Sequence, residues 1–90
     1  MKFGDALYRL RKGDRVRRDG WNGKGMYVCY MPPKVIQQAR NLYDMADGEP
    51  VYDSITINEH FLIRNVDKTF STWVPSVNDC FAEDWGTVYD

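Results

Sequence analysis

The stretch Met26-Tyr27-Val28-Cys29-Tyr30 is apolar on both faces of a strand: Met26, Val28 and Tyr30 share one face, and Tyr27 and Cys29 the other. A strand with two apolar faces has to be covered twice, by a helix or by another subunit. The flanking sequence offers short elements for that role. Phe3, Ala6, Leu7 and Leu10 recur at i, i+3, i+4 and i+7, one face of a short helix. Asp5 in its first turn and Arg11 and Lys12 in its last suit the helix dipole, and Gly13 is placed as a left-handed stop. Arg15-Val16-Arg17 alternates charged and apolar, as a strand does, before the turn signal Asp19-Gly20.

Pro32-Pro33 ends the two-faced strand, and Pro33 suits the first turn of a helix. Val35, Ala39, Leu42, Tyr43 and Ala46 then predict a helix from about Lys34 to Met45, broken by Asp47-Gly48 and Pro50. Ile55 and Ile57 hint at a strand. His60 to Asn65 and Thr69 to Trp73 read as a hairpin about Val66-Asp67-Lys68. Pro75 precedes Ser76-x-x-Asp79, a capping-box-like start for a helix reaching about Ala82, and Trp85 to Tyr89 reads as the last strand. The expected class is α+β: a small, mainly antiparallel sheet with short helices packed on it. Ninety residues make one domain, residues 1–90.

The formal charge of −1 conceals a division. Residues 1–24 carry eight Lys or Arg against three Asp, a net +5, and the remainder carries four against ten acids, a net −6. Such a split marks an anion-binding surface, two faces of one protein that attract each other, or an interface between copies. Three Trp, six Tyr and four Phe are many for so small a domain. A chain this short leaves much of its surface exposed, so some of these rings face solvent, a ligand or another copy. No apolar run is long enough to span a bilayer, and the first residues lack the apolar core of a signal peptide; the expected compartment is the cytoplasm.

Cys29 and Cys80 form no CxxC pair, so a structural zinc site of four soft ligands is not expected. Both read as buried small hydrophobes in a reducing compartment. His60 is the only histidine, and no Gly-x-Ser-x-Gly nucleophile motif accompanies it. Enzyme is the weaker class, and no cofactor is expected.

Two segments can carry chemistry. In Gly20-Trp21-Asn22-Gly23-Lys24-Gly25-Met26, three glycines in six residues let backbone approach a ligand closely. The spacing fits neither a P-loop nor a dinucleotide fingerprint. Either this is a glycine-rich turn with Trp21 folded into the core, or Trp21 stacks on a base, Asn22 reads its edge, and Lys24 with nearby Arg15, Arg17 and Arg18 meets phosphate. In Trp73-Val74-Pro75-Ser76-Val77-Asn78-Asp79, Ser76 and Asp79 either cap the helix or meet a ligand hydroxyl or base; Arg64 is a weaker candidate nearby in sequence.

Together these residues resemble a family of small phage proteins, the second type of Thoeris anti-defence proteins. The resemblance runs through Phe3-Gly4-Asp5-Ala6-Leu7, Gly13, Gly20 to Met26, Trp73-Val74-Pro75-Ser76, Asp79, Ala82, Asp84 and Trp85, with Thr72 standing where relatives often carry Pro. It implies a non-enzymatic sponge that sequesters glycocyclic ADP-ribose signals made by bacterial TIR-domain proteins, assembled as a homotetramer with pockets where subunits meet. Some relatives also hold cyclic dinucleotides at a separate site. Carried over by motif, Trp21 stacks on adenine, Asn22 with Gly23 and Gly25 shapes the pocket, Ser76 and Asp79 bond ribose or base, and Lys24 or Arg18 meets the diphosphate. Met26 and Trp73 complete the expected ligand-binding set. The basic and acidic parts then stand on opposite sides of a pocket, from different subunits. The competing readings are a phosphodiesterase-like enzyme degrading cyclic nucleotides and a small nucleic-acid-binding module. Neither a membrane nor a nucleic acid polymer is the expected partner.

Overall fold

The computed structural model describes residues 1–36 and 55–89. Helix α1, Phe3–Arg11, forms where the periodicity predicts it and buries Ala6 and Leu10. It stops at Gly13, whose φ of +97° only glycine adopts without strain. The Gly13 N–H donates to the Leu10 carbonyl at 2.9 Å and the Asp14 N–H to the Arg9 carbonyl at 3.0 Å, closing a Schellman motif on the last turn.

Strands β1 (Arg15–Arg18) and β2 (Tyr27–Met31) follow. β2 begins one residue later than the sequence suggests, because Gly25 at φ +77° keeps the chain in a turn up to Met26. Strands β5 (His60–Arg64), β6 (Phe70–Trp73) and β7 (Trp85–Val88) complete an antiparallel five-stranded sheet in the order β6-β5-β2-β1-β7. The two-faced apolar strand is the central one. Val28 lies opposite Val16 on one side and Ile63 on the other, and Tyr27 lies opposite Arg64.

The core lies on the Val28 face, where Ala6, Leu10, Val16, Val28 and Trp85 are buried. Helix α1 packs there, and α2 (Val77–Phe81) joins it, held to buried Trp85 by the bond from the indole Nε1 to the Asp79 carbonyl at 3.0 Å. The expected second cover on the Tyr27–Cys29 face is not supplied by either helix of the described residues. There the guanidinium carbons of Arg15 and Arg64 stand 5.0 and 5.8 Å from the Tyr27 ring centre.

Two expectations need correction. Lys34 to Ile36 is not the start of a helix but strand β3, paired with β4 (Ile55–Ile57) in a separate two-stranded ribbon. Val35 and Ile36 are β-branched, and their register opposite Thr56 and Ile55 provides cross-strand partners that outweigh the helical spacing. The rest of the expected helix lies outside the described residues. Nor are the cysteines both buried: Cys80 is exposed on α2, and Cys29 is half-buried on the sheet face without a helix; both are free thiols. The hairpin joining β5 to β6 turns as expected, with the Lys68 N–H donating to the Asn65 carbonyl and Lys68 itself at φ +73°.

Candidate functional site

The two segments singled out by the sequence meet at one end of the sheet. Arg18 closes β1, and its side chain points to the core side, as Val16 does. Its Nε donates to Asp84 Oδ1 at 2.9 Å and its Nη1 to Asp79 Oδ1 at 3.0 Å. The other Asp84 oxygen accepts the Gly20 N–H at 2.9 Å, and the Asp19 N–H donates to the Asp84 carbonyl. One arginine and two aspartates thus tie the end of β1, the glycine turn, α2 and the entry to β7 together.

Asp79 is also half of a complete capping box. The Asp79 N–H donates to Ser76 Oγ at 3.1 Å, and the Ser76 N–H donates to Asp79 Oδ2 at 2.9 Å. Burial alone pushes the Asp79 carboxyl up. The Ser76 N–H, the Arg18 guanidinium and the Ser76 hydroxyl together outweigh it and hold the group below the usual carboxylate range. The Asp84 carboxyl is lowered first by Arg18 and then by the Gly20 N–H. The Arg18 guanidinium is raised first by Asp84 and then by Asp79.

Beside this knot stands an aromatic cluster. Trp85, at the start of β7, is buried beneath Trp21 of the glycine turn and Trp73 at the end of β6, both half-buried. Trp21 meets Trp85 edge-on at 5.5 Å between ring centres and Trp73 at 6.5 Å; Trp73 and Trp85 are 6.0 Å apart. Phe3 and Phe61 extend the cluster at 5.4 Å from Trp85 and 5.8 Å from Trp73. Edge-to-face rings gain from the quadrupole as well as from burial. They also leave part of the Trp21 and Trp73 surface open, which a planar base could cover.

Gly23 and Gly25 of the turn are closely approached by side chains, and Gly25 at φ +77° also has the left-handed backbone that favours glycine. A Cβ on Gly23 would stand 2.3 Å from Met26 Sδ and 2.6 Å from a Val66 methyl. One on Gly25 would stand 2.6 Å from Arg64 Nη1, which instead donates to the Gly25 carbonyl at 2.8 Å. Asn22 and Lys24 ride on this turn with exposed side chains, and neither makes a hydrogen bond or ion pair among the described residues.

Arg18, Trp21, Trp73, Ser76 and Asp79 therefore come together in one chain, and Asn22, Gly23, Lys24 and Met26 lie on the adjoining turn. Within one chain, Arg18 and Asp79 are bonded to each other. With two carboxylates on one guanidinium the knot carries a net −1, and Lys24 is the cation on the adjoining turn. Trp21 lies between its two readings, with one edge on the core and part of the ring outside.

The aspartate missed as part of the cluster is Asp84, whose bond to Arg18 spans 66 positions. No local pattern announces such a contact; only its place beside Trp85 in the resembling segment marked it. Among the described residues no group of three or more His, Cys, Asp or Glu is placed to hold a metal ion. None of the described helices is long and apolar enough to cross a membrane.

Known proteins resemble this chain along nearly its whole length. A family described as the Thoeris anti-defense 2-like domain matches residues 1–88. The chain is also 35% identical, over 89 residues, to a protein named Thoeris anti-defense 2 from Bacillus phage SP01, covering 98% of this chain and 94% of the relative.

Proposed function

The chain belongs to the Thoeris anti-defense 2-like family, and from that premise we propose that it is a sponge that binds and sequesters glycocyclic ADP-ribose without cleaving it. The observation that carries this reading is the half-open Trp21–Trp73 pair beside two polar side chains, Asn22 and Lys24, that have no partner among the described residues, on a glycine turn. In this reading Trp21 stacks on the adenine, Asn22 reads an edge of it, and Lys24 meets the diphosphate. Arg18 acts through position: it holds Asp79 and Asp84, and so fixes the turn that carries Trp21. Ser76 and Asp79 keep lone pairs for a ribose hydroxyl while serving as a cap.

The same reading makes the protein a homotetramer acting in the cytoplasm of an infected bacterium. In it a second copy covers the Tyr27–Cys29 face of the sheet and completes the pocket. The exposed Val74, Val77 and Phe81 at α2 supply apolar surface for a further contact between copies.

The test is to load the protein with glycocyclic ADP-ribose, denature it by heat, and analyse the released small molecule. Intact ligand is expected. A cleaved product would sink the sponge in favour of a phosphodiesterase-like enzyme. Trp21→Ala is expected to abolish ligand binding while leaving the fold and assembly intact; if that variant unfolds, Trp21 serves the core alone. Nucleic acid binding that weakens steeply with salt would favour the third reading.

A further inference from the structure

We infer that the cleft between the outer end of α1 and the β2–β5 pair is a second binding site, for a small zwitterion of the α-amino-acid type with an apolar side chain. This does not rest on the nucleotide reading of the tryptophan cluster. The cleft measures about 190 Å³ and is lined by Leu7, Arg11, Tyr30, Glu59, His60 and Phe61. That is below the roughly 300–1,000 Å³ of sites for drug-sized ligands, so its occupant is smaller than a nucleotide.

The lining has an apolar base and two opposite charges. Leu7 and Phe61 supply half-buried apolar surface; Phe61 also packs edge-on against Tyr30 at 6.3 Å. Arg11 and Glu59 share the cleft yet do not close on one another, and Arg11 makes no ion pair among the described residues. The Tyr30 hydroxyl donates to Glu59 Oε2, and that bond raises the Tyr30 pKa. It holds the carboxylate in place while leaving Oε1 without a protein partner among the described residues. The His60 ring, which also lines the cleft, is held by a hydrogen bond between its Nδ1 and the Asn58 carbonyl at 2.9 Å.

Opposite charges that line one small cleft without pairing suit a ligand that brings both signs itself. A carboxylate would take the planar fork of Arg11, an ammonium the free oxygen of Glu59, and an apolar side chain the Leu7–Phe61 surface. Neither a simple anion nor a simple cation would satisfy both walls.

The experiment is a titration of the full-length ¹⁵N-labelled protein, followed by two-dimensional NMR, with L-phenylalanine, 3-phenylpropionate and phenylalanine amide. Shifts are expected at the lining residues with phenylalanine, with each truncated analogue weaker by about tenfold, the scale of one charge-assisted hydrogen bond. Arg11→Gln is expected to erase the difference between phenylalanine and its amide. Glu59→Gln, which keeps an acceptor for Tyr30, is expected to erase the difference between phenylalanine and phenylpropionate. Both positions are exposed, so the fold should persist. No shift at these residues up to about 10 mM, equal binding of all three probes, or displacement of phenylalanine from these residues by a cyclic dinucleotide would each overturn the assignment.

Discussion

Removing the Arg18 guanidinium tests the knot that carries the site. In Arg18→Ala, Asp79 loses its 3.0 Å partner while remaining 8% exposed, and Asp84 loses its 2.9 Å partner. A hydrogen bond to a charged group is worth about 1.5–3 kcal/mol, but exposed ion pairs are worth far less. With the Arg18 and Asp79 side chains 22% and 12% exposed, the Asp79 bond belongs between those limits, at about 1–2 kcal/mol. For a domain of this size that is a fall in melting temperature of roughly 5–15 °C. Thermal unfolding can be followed by tryptophan fluorescence, since Trp21 and Trp85 adjoin the knot. Arg17→Ala is the control: Arg17, the neighbour of Arg18 on β1, is exposed, and a surface change of this kind shifts stability by no more than about 0.5 kcal/mol.

Acid supplies the second arm of that test. The Asp79 and Asp84 carboxyls are held below their ordinary value of 3.8. Their contribution is therefore fully present above pH 3.8 and is lost as the pH falls through their lower folded values. The gap between wild type and Arg18→Ala should be widest near neutrality and close in acid. A gap of the same size at about pH 2.5 and pH 7 would show that Arg18 acts by packing rather than by charge, and would refute the reasoning. No loss at neutral pH would refute it as well.

Ser76→Ala removes the acceptor for the Asp79 N–H and is expected to cost about 0.5–2 kcal/mol, measured by chemical denaturation. Two glycines of the first fifteen residues should respond with opposite signs in the same assay. Gly4→Ala, in α1 with open space around it, is expected to stabilise by about 0.4–1 kcal/mol. Gly13→Ala, at φ +97°, is expected to destabilise by about 1–2 kcal/mol. Alkylation by iodoacetamide, read by peptide mass spectrometry, should modify Cys80 before Cys29. Cys80 is exposed, whereas burial pushes the Cys29 thiol up against the opposing pull of Arg15 and so lowers its thiolate fraction. Equal rates would show that the sheet face carrying Cys29 is open to the reagent.

Much of the fold was legible because it is written locally. The Phe3-to-Leu10 spacing, Gly13, Ser76-x-x-Asp79 and the Val66-Asp67-Lys68 turn each specify an element through neighbours within a few residues, and each appears where expected. The region after Pro33 was misread for the complementary reason. Val35 and Ile36 fit both a helical stripe and a strand, and the choice fell to Ile55 and Thr56, about twenty positions away. Trp21 and Trp73 could be named as site residues from their segments. That their rings meet over Trp85 could not, since the contact joins three stretches far apart in the chain.

By itself the sequence determined the elements that are written locally, the family and the residue types available for a ligand, because periodicity, caps and glycine turns act over short range. Only the tertiary structure decided their partners. It set Arg18 on Asp79 and Asp84, and it left Lys24 and Asn22 exposed on the turn. It also joined Arg11 and Glu59 in one cleft. The physical reason is common to all three: charges and rings take the partners that the sheet register brings within a few ångströms, and register is a property of the assembled sheet rather than of any one strand.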